Sequence, residues 1–196
     1  MAASTTSYHH GDLPNALVRA AVELLEEGGA SELSLRAAAR RAGVSTAAPY
    51  RHFSDRDALL SAVAAVGYRE LAEELVAAHP AQATPEGLIA IAKAYVRFAL
   101  TRPGMFRVMF AEPCDPAAPE RVAATEAIKG YLESLVRQAF PDSDPEPMAV
   151  AVWALVHGLA FLHLDGKLDA SSPEAVAHQV ETAVGAVLRA TGRVPE

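Results

Sequence analysis

Apolar residues recur along this chain at the three- and four-residue spacing that places them on one face of an α-helix. The first such segment contains Leu17, Ala21, Leu24 and Leu25; we expect Asp12 to cap it and a pair of glycines to end it. The same spacing returns in six later segments, which are separated by proline- or glycine-containing stretches: 56–78, 88–99, 105–110, 120–140, 148–164 and 173–190. The pattern predicts an all-α protein.

Two shorter helices are predicted after the glycine pair. Ser34 can cap the first, at about 35–42, because its side chain can accept a hydrogen bond from a free backbone N–H at the helix start. Gly43 suits the left-handed residue that often ends a helix, and Ser45 can cap a second helix, 46–53. A helix, a glycine turn and a second capped helix form the helix-turn-helix arrangement, whose second helix enters the DNA major groove.

Pro49 lies inside the second of these helices, where proline removes a backbone N–H donor. Counted from Ser45 as the cap, Pro49 is only the fourth helical residue. The hydrogen bond that it forfeits would be the first one of the helix, so the cost is smaller than in a helix interior. We therefore expect the helix 46–53 to form.

The charge of the segment from Arg36 to Arg56 differs from that of the whole chain. The chain carries a net charge of −7, which argues against a protein that coats nucleic acid along its whole surface. The segment holds a single acid, Asp55, against five arginines: Arg36, Arg40, Arg41, Arg51 and Arg56. Such a local basic surface favours contacts with DNA phosphates. The alternative for these arginines is an ordinary charged helix face.

The second short helix is the predicted DNA-contacting element, because the amino-terminal part of such a helix lies nearest the base edges. Residues 46–48 offer a hydroxyl and two small side chains suited to a thymine methyl. Arg51 can bind a phosphate or the edge of a guanine. Tyr50 and His52 can form hydrogen bonds with phosphates, and partial burial in the core is the alternative for Tyr50.

From Leu13 to Val63 the chain resembles, without a gap, the amino-terminal pattern of the TetR-type transcriptional regulators. That pattern is an amphipathic helix, a helix-turn-helix ending in Tyr-x-His-Phe and a capped start to a long helix; most of it here reads VRAAVELLEEGGASELSLRAAARRAGVSTAAPYRHFSDRDALLSAV. The resemblance implies a three-helix DNA-binding domain at 11–71, with its motif at 34–53, and a ligand-binding and dimerisation helical domain at 72–196. It also implies a homodimer on a near-palindromic operator, more often a repressor than an activator.

Two positions of the pattern depart from the family's usual residue. Pro49 stands where leucine is usual, and Arg56 stands where the family usually has a lysine near a phosphate. The residues and the resemblance together give these candidates for DNA contact: Arg36, Ser45, Thr46, Ala47, Ala48, Tyr50, Arg51, His52 and Arg56. Farther along the chain, Trp153, His157 and Gly158 resemble the carboxy-terminal domain of a TetR subgroup characterised by Trp-x-x-x-His-Gly.

Several bulky apolar residues are candidates for a cavity that would bind a small-molecule effector, whose identity the sequence leaves open. The segment 105–110 brings together adaptable methionines and bulky phenylalanines, although an ordinary core is the alternative. The pocket candidates are Tyr95, Phe106, Met109, Phe110, Trp153 and His157. We predict no cofactor.

The segment Met148–Leu164 contains no charged residue. It is shorter than the roughly 20 apolar residues that span a membrane, and it contains two histidines and a glycine. A helix that is apolar all round is otherwise buried. We expect it to lie between its own bundle and a second copy of the chain, where it and the helix 173–190 would form a four-helix dimer interface without any membrane.

Two other functional classes are possible from the residues alone. An enzyme or metal protein would depend on His157, His163 and the nearby Asp165, but a spacing of six residues does not put two histidines on one helix face. We predict neither a catalytic nor a metal site. A protein-interaction adaptor is the third possibility, and the arginines make it less favoured than a DNA-binding protein.

The single cysteine and the first ten residues indicate the cellular compartment of the protein. Cys114 is the single cysteine, which excludes an intrachain disulfide and fits a reducing cytoplasm. A sensing role for this thiol is the less favoured alternative. The first ten residues lack the features of a secretory signal. Tyr8, His9 and His10 could contact phosphates, but a solvated tail is the preferred interpretation.

Overall fold

The computed structural model describes residues 12–79, 84, 87–115 and 117–191, and these residues contain helices and no β-strand. The predicted all-α class is confirmed. The residues Tyr8, His9 and His10 lie outside the described part. The helices are α1 (Leu13–Gly28), α2 (Leu35–Arg41), α3 (Arg56–Ala77), α4 (Gly87–Thr101), α5 (Pro103–Phe110), α6 (Pro119–Ala139), α7 (Pro145–Leu164) and α8 (Pro173–Thr191).

The predicted boundaries of α2 and α3 are confirmed by their caps. The Ser34 hydroxyl accepts the backbone N–H of Ala37 at 3.1 Å, and the Asp55 carboxylate accepts that of Ala58 at 2.8 Å. Gly43 has a φ of 70°, a conformation that residues with a side chain rarely adopt. Asp12 occupies the predicted cap position of α1, but its carboxylate binds the side chains of Asn15 and Arg19 and no backbone N–H.

The predicted α-helix 46–53 is wrong in its type. A turn at 46–48 leads into a short 3₁₀ helix, Pro49–Arg51. The carbonyl oxygen of Ser45 accepts the N–H of Ala48, three residues on, at 3.0 Å. Pro49 has no N–H to donate to that oxygen four residues back, so the tighter three-residue bonding replaces the first α-helical bond. The segment keeps its place after Gly43, but not its regular α-helical form.

Two groups of helices share α3. Its amino-terminal part packs with α1 on a core that includes Leu17, Leu59 and Leu60, and farther along it contacts α5 and α6. Helix α4 contacts α7 and α8 on the other side of the bundle. The predicted domain boundary between residues 71 and 72 falls inside α3, which continues through it. One continuous helix therefore belongs to both of the predicted domains.

The apolar segment near the carboxyl end forms a longer helix than the prediction allowed. Helix α7 has 20 residues, because Pro145 and Pro147 lie in its first turn and Asp144 caps it. By length and composition it could cross a membrane, so the predicted shortfall in length is wrong. Core helices of other proteins have the same properties. Helix α5 also begins earlier than predicted. Its first residue is Pro103, where the sequence predicted a turn.

Candidate functional site

The segment 45–52 exposes its polar side chains to solvent, and buried residues anchor it to the core. Tyr50 is 52% exposed, so the alternative of core packing does not apply to it. Arg51 and His52 are exposed as well. Pro49 and Phe53 are buried and hold the segment to the core. In the first turn Ser45, Thr46 and Ala47 are exposed and Ala48 is partly buried. Six of the seven predicted contact residues within this segment are therefore exposed.

The arginines of α2 fall into two groups. Arg36 and Arg40 are exposed, and within the described chain neither forms an ion pair. Arg41 pairs with Glu23 and Glu27 of α1. The hydrogen bond from Arg41 lowers the pKa of Glu27. Arg41 thus joins α2 to α1, and Arg36 and Arg40 remain available to an external anion.

Arg56 is held by the chain itself. Its Nε donates to the carbonyl oxygen of Leu33 at 3.1 Å, and a terminal nitrogen donates to that of Ala30 at 2.7 Å. Glu112 lies 3.7 Å from the same terminal nitrogen. These contacts fix the connection between α1 and α2, and they differ from the phosphate contact that the sequence predicted.

A cavity of about 440 Å³ lies among α3, α4, α5, α6 and α7. Four of the six predicted pocket residues line it: Tyr95, Met109, Phe110 and Trp153. The other two, Phe106 and His157, lie behind this wall, with their ring centroids 5.7 Å apart. A smaller, almost wholly apolar cavity of about 210 Å³ adjoins it, and Tyr95 and Trp153 line both.

Hydrogen bonds connect the aromatic residues on the cavity wall. The Tyr95 hydroxyl lies 2.9 Å from Nδ1 of His157, and Nε1 of Trp153 donates to the same hydroxyl oxygen at 3.3 Å. Burial raises the pKa of Tyr95 and lowers the pKa of His157. Both groups are therefore neutral near pH 7. In the neutral ring with its proton on Nε2, Tyr95 donates to Nδ1 while it accepts from Trp153.

Two polar residues, Tyr68 of α3 and Arg121 of α6, are among the cavity residues that sequence reasoning missed. Tyr68 lies in the predicted helical segment 56–78, and its hydroxyl donates to the carbonyl oxygen of Met109 at 2.9 Å. Arg121 follows a proline-rich loop and belongs to no motif. Only the packing of α3 against α5 and α6 brings the two together, so no local sequence signal could have found them.

The residues of the alternative metal site do not form one. No group of three or more potential ligands is found in the described part of the chain. Asp165 pairs with Arg107 at 2.6 Å. His163 is buried, and its ring nitrogens have no hydrogen-bond partner among the described residues. Burial raises the pKa of the Cys114 thiol, which disfavours the reactive thiolate.

Comparison with known protein families gives two matches. Residues 17–63 match the family of bacterial regulatory proteins of the TetR type, and residues 88–187 match the tetracyclin repressor-like carboxy-terminal domain. This chain belongs to the TetR family. The TetR family consists of transcriptional regulators that bind DNA through the helix-turn-helix, so the exposed 45–52 segment belongs to a DNA-binding domain.

Individual relatives include a helix-turn-helix regulator and two solved structures of similar fold. The chain is 31% identical over 141 residues to the HTH-type transcriptional regulator Rv1816 of Mycobacterium tuberculosis, and the match covers 65% of this chain and 60% of that regulator. A Rhodococcus sp. RHA1 protein solved with unknown function is 34% identical, with a TM-score of 0.75, and the match covers 92% of this chain and 98% of that one. The TetR regulator PfmR of Thermus thermophilus shares the fold. It is 19% identical, with a TM-score of 0.64, and the match covers 88% of this chain and 97% of that one.

Proposed function

We propose that this TetR protein acts in the cytoplasm as a homodimer that binds a near-palindromic operator, represses transcription and releases the operator when a small molecule binds. The observation that carries the proposal is the exposed 45–52 segment. Its side chains at Thr46, Tyr50, Arg51 and His52 have no hydrogen-bond partner in the described chain and face solvent. Polar groups held in this way, beside the unpaired Arg36, suit contacts to phosphates and base edges.

The operator is tested by selection from a random DNA pool with the purified protein. We expect an enriched motif with two related half-sites, because a two-fold dimer binds a site of the same symmetry. Binding should weaken steeply as salt rises, since arginines that contact phosphates release counterions. Recovery of unenriched DNA after repeated rounds would contradict the proposal.

The homodimer is supported by an exposed apolar row on α7. Val150, Ala154, Gly158 and Leu162 recur every four residues and are all exposed, with Val150 and Leu162 at 55% and 44%. Gly158 lies in the middle of the helix, where glycine costs about 1 kcal/mol relative to alanine. A Cβ at Gly158 would meet no atom of the described chain within 4 Å, so nothing in the monomer requires glycine there. Close approach of a second copy would require it.

The dimer is tested by Gly158→Gln, with Gly130→Gln as the matched control. Gly130 also lies in a helix, and a Cβ there would meet no atom within 4 Å, but it is on α6. Light scattering after gel filtration should give a dimer for the parent and for Gly130→Gln, and a monomer for Gly158→Gln. A dimer for all three proteins would place the interface elsewhere.

The residues of the Trp-x-x-x-His-Gly motif lie beside the cavity and on the exposed face of α7. Trp153 and His157 hold the Tyr95 hydroxyl at the cavity wall. Gly158 lies on the exposed α7 row that we assign to the dimer interface. We propose on this basis that the chain belongs to the subgroup that carries the motif, whose residues would then link effector binding to the dimer.

The response to an effector is supported by the position of α5. Phe106 and Phe110 of α5 contact the ring of His157, with centroid distances of 5.7 and 4.7 Å. On its other side Gly104 approaches α1 so closely that a Cβ would lie 2.9 Å from the carbonyl oxygen of Leu25. Helix α5 therefore touches both the cavity wall and the DNA-binding domain. An effector that favours another position of α5 would shift the population of DNA-binding dimers.

The response is tested with the selected operator and a set of small molecules. Compounds that release the parent protein should fail to release Thr125→Leu, because the larger side chain fills part of the cavity that Thr125 lines. The operator affinity of Thr125→Leu without compound should equal that of the parent. Equal release of both proteins would contradict an effector site in this cavity.

A further inference from the structure

The cavity that we propose as the effector site is long, apolar in its wall and unequally charged along its length. Arg121 and Glu133 both line it from α6, and twelve residues of helix separate them by about 18 Å at 1.5 Å per residue. Aromatic and aliphatic side chains form the wall between them, among them Leu71, Tyr95 and Phe110. A flat or elongated apolar molecule fits such a space better than a compact polar one.

The charged groups at the Glu133 end leave a net negative charge, because carboxylates outnumber the one lysine there. Lys129 lies 3.7 Å from Glu133 and 3.9 Å from Glu146, so one cation stands between two carboxylates. Glu126 is exposed and faces the solvent side of the lining. Exposed carboxylates of this kind are screened by water and salt. This end therefore offers little net attraction to an anionic ligand.

The Arg121 end differs, because its guanidinium has no carboxylate partner among the described residues. Its Nε is buried and has no hydrogen-bond partner there. The neighbouring polar group is the hydroxyl of Tyr68, whose own proton goes to the carbonyl oxygen of Met109. Burial raises the pKa of Tyr68, and the nearby Arg121 opposes that shift. A partly buried, unpaired cation is costly without an anion beside it.

We propose that the effector is an anionic amphiphile, with an aromatic or aliphatic body along the cavity and a carboxylate or sulfonate paired with Arg121. This inference rests on the proposed effector cavity and adds the chemical class of its ligand. Arg121 would donate to the anion, because guanidinium groups match carboxylates and sulfonates with two parallel N–H donors. Tyr68 would support the pair from the side, through the same hydroxyl that fixes α3 to α5.

Two dyes that differ by one anionic group test the inference without DNA. The probes are 1-anilinonaphthalene-8-sulfonate and its neutral parent, N-phenyl-1-naphthylamine. The full-length protein is titrated with each, and the fluorescence of its single tryptophan, Trp153 on the cavity wall, reports binding. In Arg121→Gln the sulfonate dye should bind about tenfold or more weakly, the expected loss of a charge-assisted hydrogen bond, and the neutral dye should change less than about twofold.

Three variants serve as controls. Arg121→Lys keeps the charge and should retain most of the affinity for the sulfonate dye. Lys129→Gln removes the other cation of the lining and should weaken the sulfonate dye much less than Arg121→Gln does, because Lys129 is already paired with Glu133 and Glu146. Thr125→Leu should weaken both dyes, which confirms that they occupy the cavity.

Two kinds of result would overturn the inference. Equal losses of both dyes in Arg121→Gln, no loss of either, or a selective loss in Lys129→Gln as large as that in Arg121→Gln would contradict Arg121 as the anion-binding residue while leaving the effector cavity intact. Undiminished binding of both dyes to Thr125→Leu would contradict the cavity as a ligand site, and with it both the inference and the proposed response.

Discussion

The hydroxyl of Tyr95 on α4 lies 2.9 Å from Nδ1 of His157 on α7, and the indole of Trp153 donates to the same oxygen. One hydroxyl thus joins two helices at the wall of the cavity. Tyr95 is buried, so its oxygen has little access to water. The geometry explains why a tyrosine stands there, whereas a phenylalanine would fill the same volume without binding either partner.

Tyr95→Phe should lower the free energy of unfolding by about 1–2 kcal/mol, because His157 loses its hydrogen-bond partner in a partly buried site. Urea unfolding followed by circular dichroism measures the change. Tyr50→Phe is the control, since Tyr50 is exposed and its hydroxyl has no partner in the described chain. Equal stabilities of Tyr95→Phe and the parent would show that the two hydrogen bonds contribute nothing.

Stability should fall on acidification below about pH 6.5, the ordinary pKa of histidine, in part because of His157. Burial lowers the pKa of His157 in the folded protein, so the unfolded chain binds its proton first as the pH falls. The stabilisation is therefore complete above the unfolded pKa and is lost below it. A proton on Nδ1 would also break the hydrogen bond that Tyr95 donates.

The measurement is the free energy of unfolding between pH 7.5 and pH 5.5, compared between the parent and His157→Gln. The variant has no ionisable group at this position, so its stability should depend less on pH over the window. The same pH dependence in both proteins would assign the acid sensitivity to other groups.

Gly67→Ala should destabilise the protein by about 1–3 kcal/mol, the usual cost of overpacking a core. A Cβ at Gly67 would lie 2.6 Å from Sδ of Met109 and 2.8 Å from Cγ of Met105. Both methionines are fully buried, so either their side chains or the helices α3 and α5 would have to shift. Gly130→Ala is the matched control, because a Cβ there meets no atom within 4 Å; it should stabilise by about 0.5–1 kcal/mol. A Gly67→Ala protein as stable as Gly130→Ala would contradict tight packing between the two helices.

Much of the fold could be predicted from the sequence because its signals are local. Apolar spacing predicts the helices, and Ser34 and Gly43 predict the two ends of α2, since a cap depends on one residue and its nearest backbone. The form of the segment around Pro49 could not be predicted in the same way. The position of Pro49 relative to Ser45 indicates the cost of one lost hydrogen bond. It does not indicate that the carbonyl oxygen of Ser45 accepts the N–H of Ala48 instead.

The cavity was predicted less completely than the fold. Aromatic and methionine residues of unusual size could be recognised along the chain, and four of the six candidates line the cavity. Arg121 and Tyr68 could not be recognised, because their importance depends on the packing of helices far apart in sequence. The contacts of Arg56 with the carbonyl oxygens of Ala30 and Leu33 could not be predicted either, because they too depend on how helices pack.

The central claim is that the exposed 45–52 segment binds operator DNA, and the affinity for a selected operator tests it most directly. The triple variant Tyr50→Ala, Arg51→Ala, His52→Ala removes three exposed side chains and should keep the fold. We expect its affinity to fall about a hundredfold or more, since single base or phosphate contacts contribute about 1–3 kcal/mol.

The matched control is the double variant Arg137→Ala, Gln138→Ala, which removes exposed side chains from the end of α6. Its operator affinity should equal that of the parent, measured by fluorescence anisotropy at one fixed salt concentration. We predict a loss confined to the triple variant. A triple variant that remains folded and binds the operator within about twofold of the parent affinity would contradict the central claim.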